Sequence, residues 1–379
     1  MCGIALVMAP QISSFAKFSF EILCRVLNRR GPDCVDKVII DPFLFFVAAV
    51  LNIQGNLTPQ PYLDDMENLL MWNGEVFEGL SATNCLKNDT AFVSKLFLTE
   101  IENIRADDHI ESSSVTSAII RALCKIRGPY AFIYYHKLSS TVVFGRDPFG
   151  RRSLLIHRDI HQSIACVSSV IPDEWDTDIS GAWEEIKPDG VYFLPRLPGD
   201  LPNNEIPMTP WPEHITRLGR SPPFPMESSF AMDRDAAAHG FLGHLCGAVA
   251  RRVARLRPSY PSPLEVQLGP TETAVSSCRV GVLFSGGIDS VLLAACLHLA
   301  LPILDPIDLL NVTFLGCDTS PQLVGSCHAD SPSSTGESSI PRSSCPPPVP
   351  PTVSRQPVPV RSPDRLAAIA AVAELKVSL

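Results

Sequence analysis

Apolar residues follow two rhythms along this chain. Short, nearly unbroken runs come in "CGIALVM" (2–8), "PFLFFVAAVLNI" (42–53), "NLLMWNGEVF" (68–77), "YAFIYYHK" (130–137) and "TVVFGRDPFG" (141–150), followed by "SLLIHR" and "SIACVSS". Runs this short, rich in branched and aromatic residues, predict buried strands. Between them, apolar positions recur every three or four residues in "FSFEILCRVLNRRG" (18–31), "DTAFVSKLFLTEI" (89–101) and "VTSAIIRALCKIRG" (115–128), which predicts helices. The first and third close on Gly31 and Gly128, a common helix stop. Asp89 and Thr90 stand where the second begins, and their side chains could cap it.

The pattern then changes. Residues 195–226 hold nine prolines in thirty-two positions, which excludes regular helix and central strand and predicts a linker over 195–232. Over 233–256, Phe241, Leu242, Leu245, Val249, Val253 and Leu256 share one helical face. "RVGVLFSGGIDSVLLAACLHLA" (279–300) reads as strand, tight glycine loop and helix, and "IDLLNVTFL" (307–315) as a second buried strand. That β-α-β order implies a parallel sheet. Residues 317–362 are Ser/Pro-rich without apolar periodicity, which predicts disorder or polyproline II. A helix returns at 363–379, with proline in its first turn.

The expected architecture is therefore α/β. A mixed α+β domain at 2–194 is followed by part of a parallel-sheet domain at 233–316, to which helix 363–379 belongs. A length of 379 residues fits two or three domains. The net charge of −9 argues against nucleic-acid or anionic-membrane partners. The most apolar run, 42–53, is too short to span a bilayer, which takes ~20 residues. No basic segment precedes the apolar start, so no signal peptide is expected. Twelve cysteines without a Cys-x-x-Cys pair disfavour zinc, and no metal site is predicted from them. A cytoplasmic, reduced protein is the expectation.

Two stretches carry candidate chemistry. Removal of Met1 would leave Cys2 with both a thiol and a free α-amino group, which titrates near ~7.7–8.0 and can take the thiol proton. The other stretch is "VLFSGGIDS" (282–290). Its glycines let the backbone approach an anion, and the helix that begins around Asp289 or Ser290 presents unpaired N–H groups to it. Hydroxyls of Ser285 and Ser290 add donors. The loop suits phosphate or pyrophosphate, although it is neither a Walker loop nor Gly-x-Gly-x-x-Gly.

Taken in order, these motifs resemble one family, the class II, N-terminal-nucleophile glutamine amidotransferases of the asparagine synthetase type. Ser-Gly-Gly-x-Asp-Ser after a strand resembles the pyrophosphate loop of the ATP pyrophosphatases. "MCGI", "RRGPD" (29–33), "WNGEVF" (72–77), "NDT" (88–90), "GRDPFGRRSL" (145–154) and "GAVARRV" (247–253) are similar to further family motifs. The resemblance implies a four-layer α-β-β-α sandwich followed by a partial ATP-pyrophosphatase sheet. It implies that Cys2 attacks the glutamine amide, with Asn73 and the Gly74 N–H as oxyanion hole. Glu75 and Asp89 would hold the substrate ammonium. ATP would bind at Ser285, Gly286, Gly287, Asp289 and Ser290, with Mg²⁺ on the phosphates, and aspartate would receive the ammonia.

Two departures stand against this pattern. Val50 occupies the place of the arginine with which the family clamps the substrate carboxylate, and Arg30 is the nearby cation that could replace it. After "PDRLAAIAAVAELK" the family continues with strands and helices that build the aspartate site. The synthetase half is thus expected to be incomplete in this chain, a truncated or alternatively spliced product or an incompletely read gene, and aspartate adenylylation is expected to fail. The expected function is a glutamine-hydrolysing, ATP-dependent amidotransferase of asparagine biosynthesis. The alternative is a catalytically silent relative with an interaction or regulatory role.

Overall fold

A computed structural model describes residues 1–10, 14–40, 43–53, 56–79, 88–104, 111–159, 163–172, 182–194, 205–216, 233–254, 280–302, 305–312 and 363–378. The Ser/Pro-rich insert expected at 317–362 lies outside them. The chain divides into a first unit, Met1–Leu242 with Arg251–Arg257, and a second, Gly243–Ala250 with Pro258–Leu379.

In chain order the first unit has β1 (Gly3–Met8), α1 (Ser14–Asn28), β2 (Cys34–Ile40), β3 (Leu44–Val50), β4 (Tyr62–Leu63), β5 (Leu69–Gly74), α2 (Asp89–Glu102) and α3 (Ser112–Leu123). There follow β6 (Tyr130–His136), β7 (Thr141–Arg146), β8 (Leu155–Asp159), β9 (Ile164–Ser168), β10 (Trp183–Glu185), β11 (Gly190–Leu194), β12 (Met208–Pro210) and α4 (Glu213–Thr216). Two six-stranded sheets result, in the orders β10-β8-β9-β1-β3-β2 and β12-β11-β7-β6-β5-β4. Every pairing within them is antiparallel, so this half is α+β.

The unbroken apolar runs follow from this layering. Side chains alternate between the faces of a strand. In β1, Ile4, Leu6 and Met8 join Leu69, Met71, Ile133 and Phe144 in the core between the sheets. Ala5 and Val7 face the other way, onto Phe20, Leu23 and Leu27 of α1. On the far side, Leu70, Trp72, Phe132 and Tyr134 pack against Val93 and Phe97 of α2 and Val115 and Ile119 of α3. Both sheets are therefore covered on both faces, giving four α-β-β-α layers. The edge strands show a solvated pattern: β2 exposes Asp36 and Lys37, and β10 exposes Glu184 and Glu185.

Three expectations change here. Asn88, not Asp89 or Thr90, caps α2: its side chain accepts from the Thr90 N–H at 2.8 Å. Gly128 does not stop α3, which ends at Leu123 with Cys124 still right-handed. A Cβ at Gly128 would sit 1.8 Å from the Glu75 carbonyl oxygen, so close backbone approach demands this glycine. The expected linker is not uniform, because β12 and α4 fall inside it. β12 is an edge strand, where proline is tolerated, and Trp211 and Ile215 are buried beneath α3 and its neighbours.

The long helix α5 (Arg234–Val253) passes through both units. Of its expected apolar face, Val249 is buried, whereas Phe241 and Leu242 are exposed among the described residues. The second unit also has β13 (Val280–Leu283), α6 (Ile288–Ala300), β14 (Ile307–Leu310) and α7 (Pro363–Ser378). β13 and β14 pair in parallel, as the β-α-β order predicts. Neither is fully buried, since only two strands of this sheet are described and one face is open.

Candidate active site

One end of the sandwich brings the first unit's predicted residues together. Cys2 precedes β1, half-buried, its thiol 3.8 Å from the Leu51 carbonyl oxygen at the end of β3. Burial pushes this thiol above its ordinary range, and the carboxylates of Asp89 and Glu75 push it further, while the Met1 amino group pulls it down. The Met1 amine is itself held below its ordinary value, first by burial and then by the charges of Arg152 and Arg30. A thiol in this setting needs a base within reach.

Asn73 and Gly74 close β5, paired with Ala131 and Tyr130 of β6. They form no hairpin turn. Asn73 is 1% exposed, and its side-chain Nδ2 is a buried donor without a hydrogen-bond partner. Such an orphan costs roughly 1–3 kcal/mol in a folded protein. A Cβ at Gly74 would lie 2.6 Å from Tyr130 Cβ and 2.7 Å from the Pro129 oxygen, so no other residue fits. Glu75 follows the strand, its N–H bonded to Pro129 O at 3.0 Å, and its half-buried side chain lies within electrostatic reach of Met1 and Cys2.

Asp89, released from capping by Asn88, turns toward this strand end. Its Oδ2 accepts from Trp72 Nε1–H at 3.3 Å and from the Val76 N–H at 3.2 Å, bracing both sides of the Asn73–Glu75 segment. Burial pushes the Asp89 carboxyl up to about 6, against the opposing pull of these donors. Gln60 is a support that sequence reading missed. Its Oε1 accepts from the Trp72 N–H at 2.6 Å, and its Nε2 donates to Trp72 O at 3.2 Å and Thr90 Oγ1 at 3.1 Å, joining β5 to α2.

Val50 is buried inside β3 and paired with Cys34, so position 50 offers no cation. Arg30 does reach the amino terminus. Its Nη1 donates to Ser169 O at 2.9 Å and Ser153 Oγ at 3.3 Å, and its Nη2 lies 4.0 Å from Met1 Sδ. Arg152 joins it: burial first and then the Arg152 charge depress the Arg30 guanidinium, and the same charge lowers the already buried Met1 amine. In each arginine the Nε is buried and without a hydrogen-bond partner. Two like charges are thus held together beside an amino terminus.

The loop carrying Arg152 is organised by Asp147, fully buried. Its carboxylate accepts from the backbone N–H of Tyr130, Phe149 and Arg151 and from Arg151 Nε, at 2.9–3.2 Å. Arg146 Nε then donates to Arg152 O at 2.6 Å.

The second unit holds the other predicted residues. Gly286 is left-handed, φ 83°, and a Cβ there would meet the Ala367–Ala368 backbone of α7 at 2.5 Å. Gly287 is the N-cap of α6, which starts at Ile288, one residue before the expected Asp289. No side chain caps it. Ser285, Gly287 and Asp289 are exposed, while Ser290 is buried with its hydroxyl donating to Gly287 O at 2.9 Å.

No protein-family model matches the chain. It is 29% identical over 384 residues to asparagine synthetase domain-containing protein 1 of Bos taurus, covering 83% of this chain and 56% of that protein. The protein of the same name from Homo sapiens is 29% identical over 377 residues, with the same coverage. The chain is a homologue of these proteins. It spans 56% of the length of these curated relatives. Among solved structures, a glutamine phosphoribosylpyrophosphate amidotransferase from B. subtilis aligns with a TM-score of 0.39 at 15% identity, over 56% of this chain and 50% of that one. Among the described residues no helix is long and apolar enough to cross a membrane.

Proposed function

We propose that the first unit hydrolyses glutamine to glutamate and ammonia, as a class II amidotransferase of the asparagine synthetase type. With Met1 removed, the Cys2 amino group takes the thiol proton, and the thiolate attacks the side-chain amide carbon. The Asn73 Nδ2–H and Gly74 N–H stabilise the oxyanion. Collapse of the tetrahedral intermediate expels ammonia, which carries away the proton held by the amine. Water then hydrolyses the thioester to glutamate. Glu75 and Asp89 hold the substrate ammonium, and Arg30 with Arg152 holds its carboxylate in place of a residue-50 arginine.

The observation that carries this reading is the buried, unpartnered Asn73 Nδ2 at the site end of β5. A donor is kept there without any partner of the protein's own, and an oxyanion supplies one.

The second unit carries the ATP half of the same chemistry. Ser285, Gly286, Gly287, Asp289 and Ser290 cradle the pyrophosphate of ATP. Support comes from the donor set: exposed Ser285, a left-handed glycine and an α6 N-terminus without a side-chain cap. Mg²⁺ bound together with ATP would supply charge neutralisation there. Aspartate is the acceptor proposed for the complete reaction, and the reducing cytoplasm its setting.

A glutamine analogue bearing a diazoketone in place of the amide tests the first-unit reading. Stoichiometric labelling of Cys2 alone, blocked by excess glutamine, is expected. Labelling spread over several cysteines and indifferent to glutamine would refute it.

A further inference from the structure

Two thiols outside the candidate active site meet in the second unit. Cys246 on α5 and Cys296 on α6 bring their Sγ atoms to 3.3 Å, across 50 residues of sequence. Cys296 is 1% exposed, whereas Cys246 is half-buried and open to a small reagent. Both are free thiols, and each sits within a helix, so its position is fixed by regular backbone. We propose that Cys246 and Cys296 form a reversible disulfide, an oxidation site that staples α5 to α6.

The geometry favours closure. Disulfide sulfurs lie about 2.05 Å apart. The pair therefore has about 1.25 Å to close, a distance that rotation of the two side chains about χ1 supplies. The bond would restrain α6, the helix whose N-cap, Gly287, belongs to the glycine loop.

A low-molecular-weight disulfide, glutathione disulfide, is the oxidant class. The accessible Cys246 thiol gives its proton to water, and its thiolate attacks the glutathione disulfide. A mixed disulfide forms and one glutathione thiolate leaves. Cys296, having lost its own proton, then attacks the Cys246 sulfur, and the second glutathione thiolate departs. Two protein thiols are oxidised and one glutathione disulfide is reduced to two glutathiones, which recover the two protons. Cys296 is 1% exposed and Cys246 half-buried, so Cys246 is the first attacker; burial and the neighbouring sulfur also push the Cys296 thiol up.

The test incubates the full chain with glutathione disulfide, alkylates the remaining thiols, digests it and maps the peptides. The expected product is one linked pair joining the Cys246 and Cys296 peptides, two hydrogens lighter than the separate thiol peptides. Dithiothreitol should remove it. Cys246→Ser should lose the link and leave Cys296 a thiol, and Cys296→Ala should stall at a glutathione adduct on Cys246. Alkylation of both thiols in the treated wild-type chain would overturn the proposal. So would linkage of either to a different cysteine, or a wild-type chain that stalls at the Cys246 adduct.

Discussion

Gly74 in the first unit and Gly286 in the second both press against foreign backbone beside a candidate ligand site, in opposite surroundings. Gly74 ends a strand whose sheet is covered on both faces, and its neighbour Asn73 is buried and paired with Ala131 of β6. Gly286 follows a four-residue strand in a sheet with two described strands, where Leu283 is 76% exposed. Its loop is held by α7, by the Ser290–Gly287 bond and by Asn311 Nδ2 donating to Phe284 O at 2.9 Å. In the first unit, packing imposes the site's geometry before any substrate arrives. In the second, a few local contacts carry that burden.

The largest break in this contrast should come from Gly74→Ala. The added methyl group meets Tyr130 and Pro129 with no room to move. Overpacking of this kind costs about 1–3 kcal/mol or more. Thermal melting should drop by several degrees, with ammonia release lost. Asn73→Ala is the sharper probe. It should lower the rate of ammonia release by ~10²–10³. Because Nδ2 has no partner to lose, the melting temperature should hold or rise. A structural asparagine would show the reverse, stability lost and rate spared.

Gly286→Ala separates the units. A left-handed alanine carries strain of about 1–3 kcal/mol, and here it also meets the α7 backbone. Limited proteolysis should attack the second unit sooner, while ammonia release from the first stays at the wild-type rate.

The smallest effect is a pH dependence at Asp89. Its folded carboxyl sits near 6, above its ordinary 3.8, so folding favours the protonated form. The stability this gives is fully present below pH ~4 and fades as pH rises through about 6. Asp89→Asn removes the titration. The variant's melting temperature should match wild type at pH 4 and exceed it above pH 6, while its KM for glutamine rises because the ammonium loses a charged partner.

Most of the first unit's layering was legible because a sheet buried on both faces writes itself as an unbroken apolar run, as in Leu44–Val50. Misreadings arose where one residue can serve two purposes. Asp89 and Asn88 are both good caps, and only the tertiary contacts with Trp72 and Val76 decide between them. Gly128 has the chemistry of a helix stop but serves the close passage of the Glu75 carbonyl, a contact 53 positions away that no local pattern reports. Arg152 was visible only as part of "GRDPFGRRSL". Its placement beside Arg30 depends on the Asp147 network that folds that loop, and Gln60 gave no signal, since a lone polar residue reads as solvated.

Everything proposed for the first unit depends on Cys2 being a nucleophile in a working glutamine site despite Val50. Ammonia release from glutamine should be measured on the purified full chain, with Met1 removal confirmed by intact mass and Cys2→Ala as control. The processed chain should release ammonia steadily, and a Cys2→Ala variant that melts at the wild-type temperature should release none. Processed, folded protein that releases no ammonia, or a Cys2→Ala variant that releases it equally well, would rule out Cys2 as the nucleophile of a glutamine site.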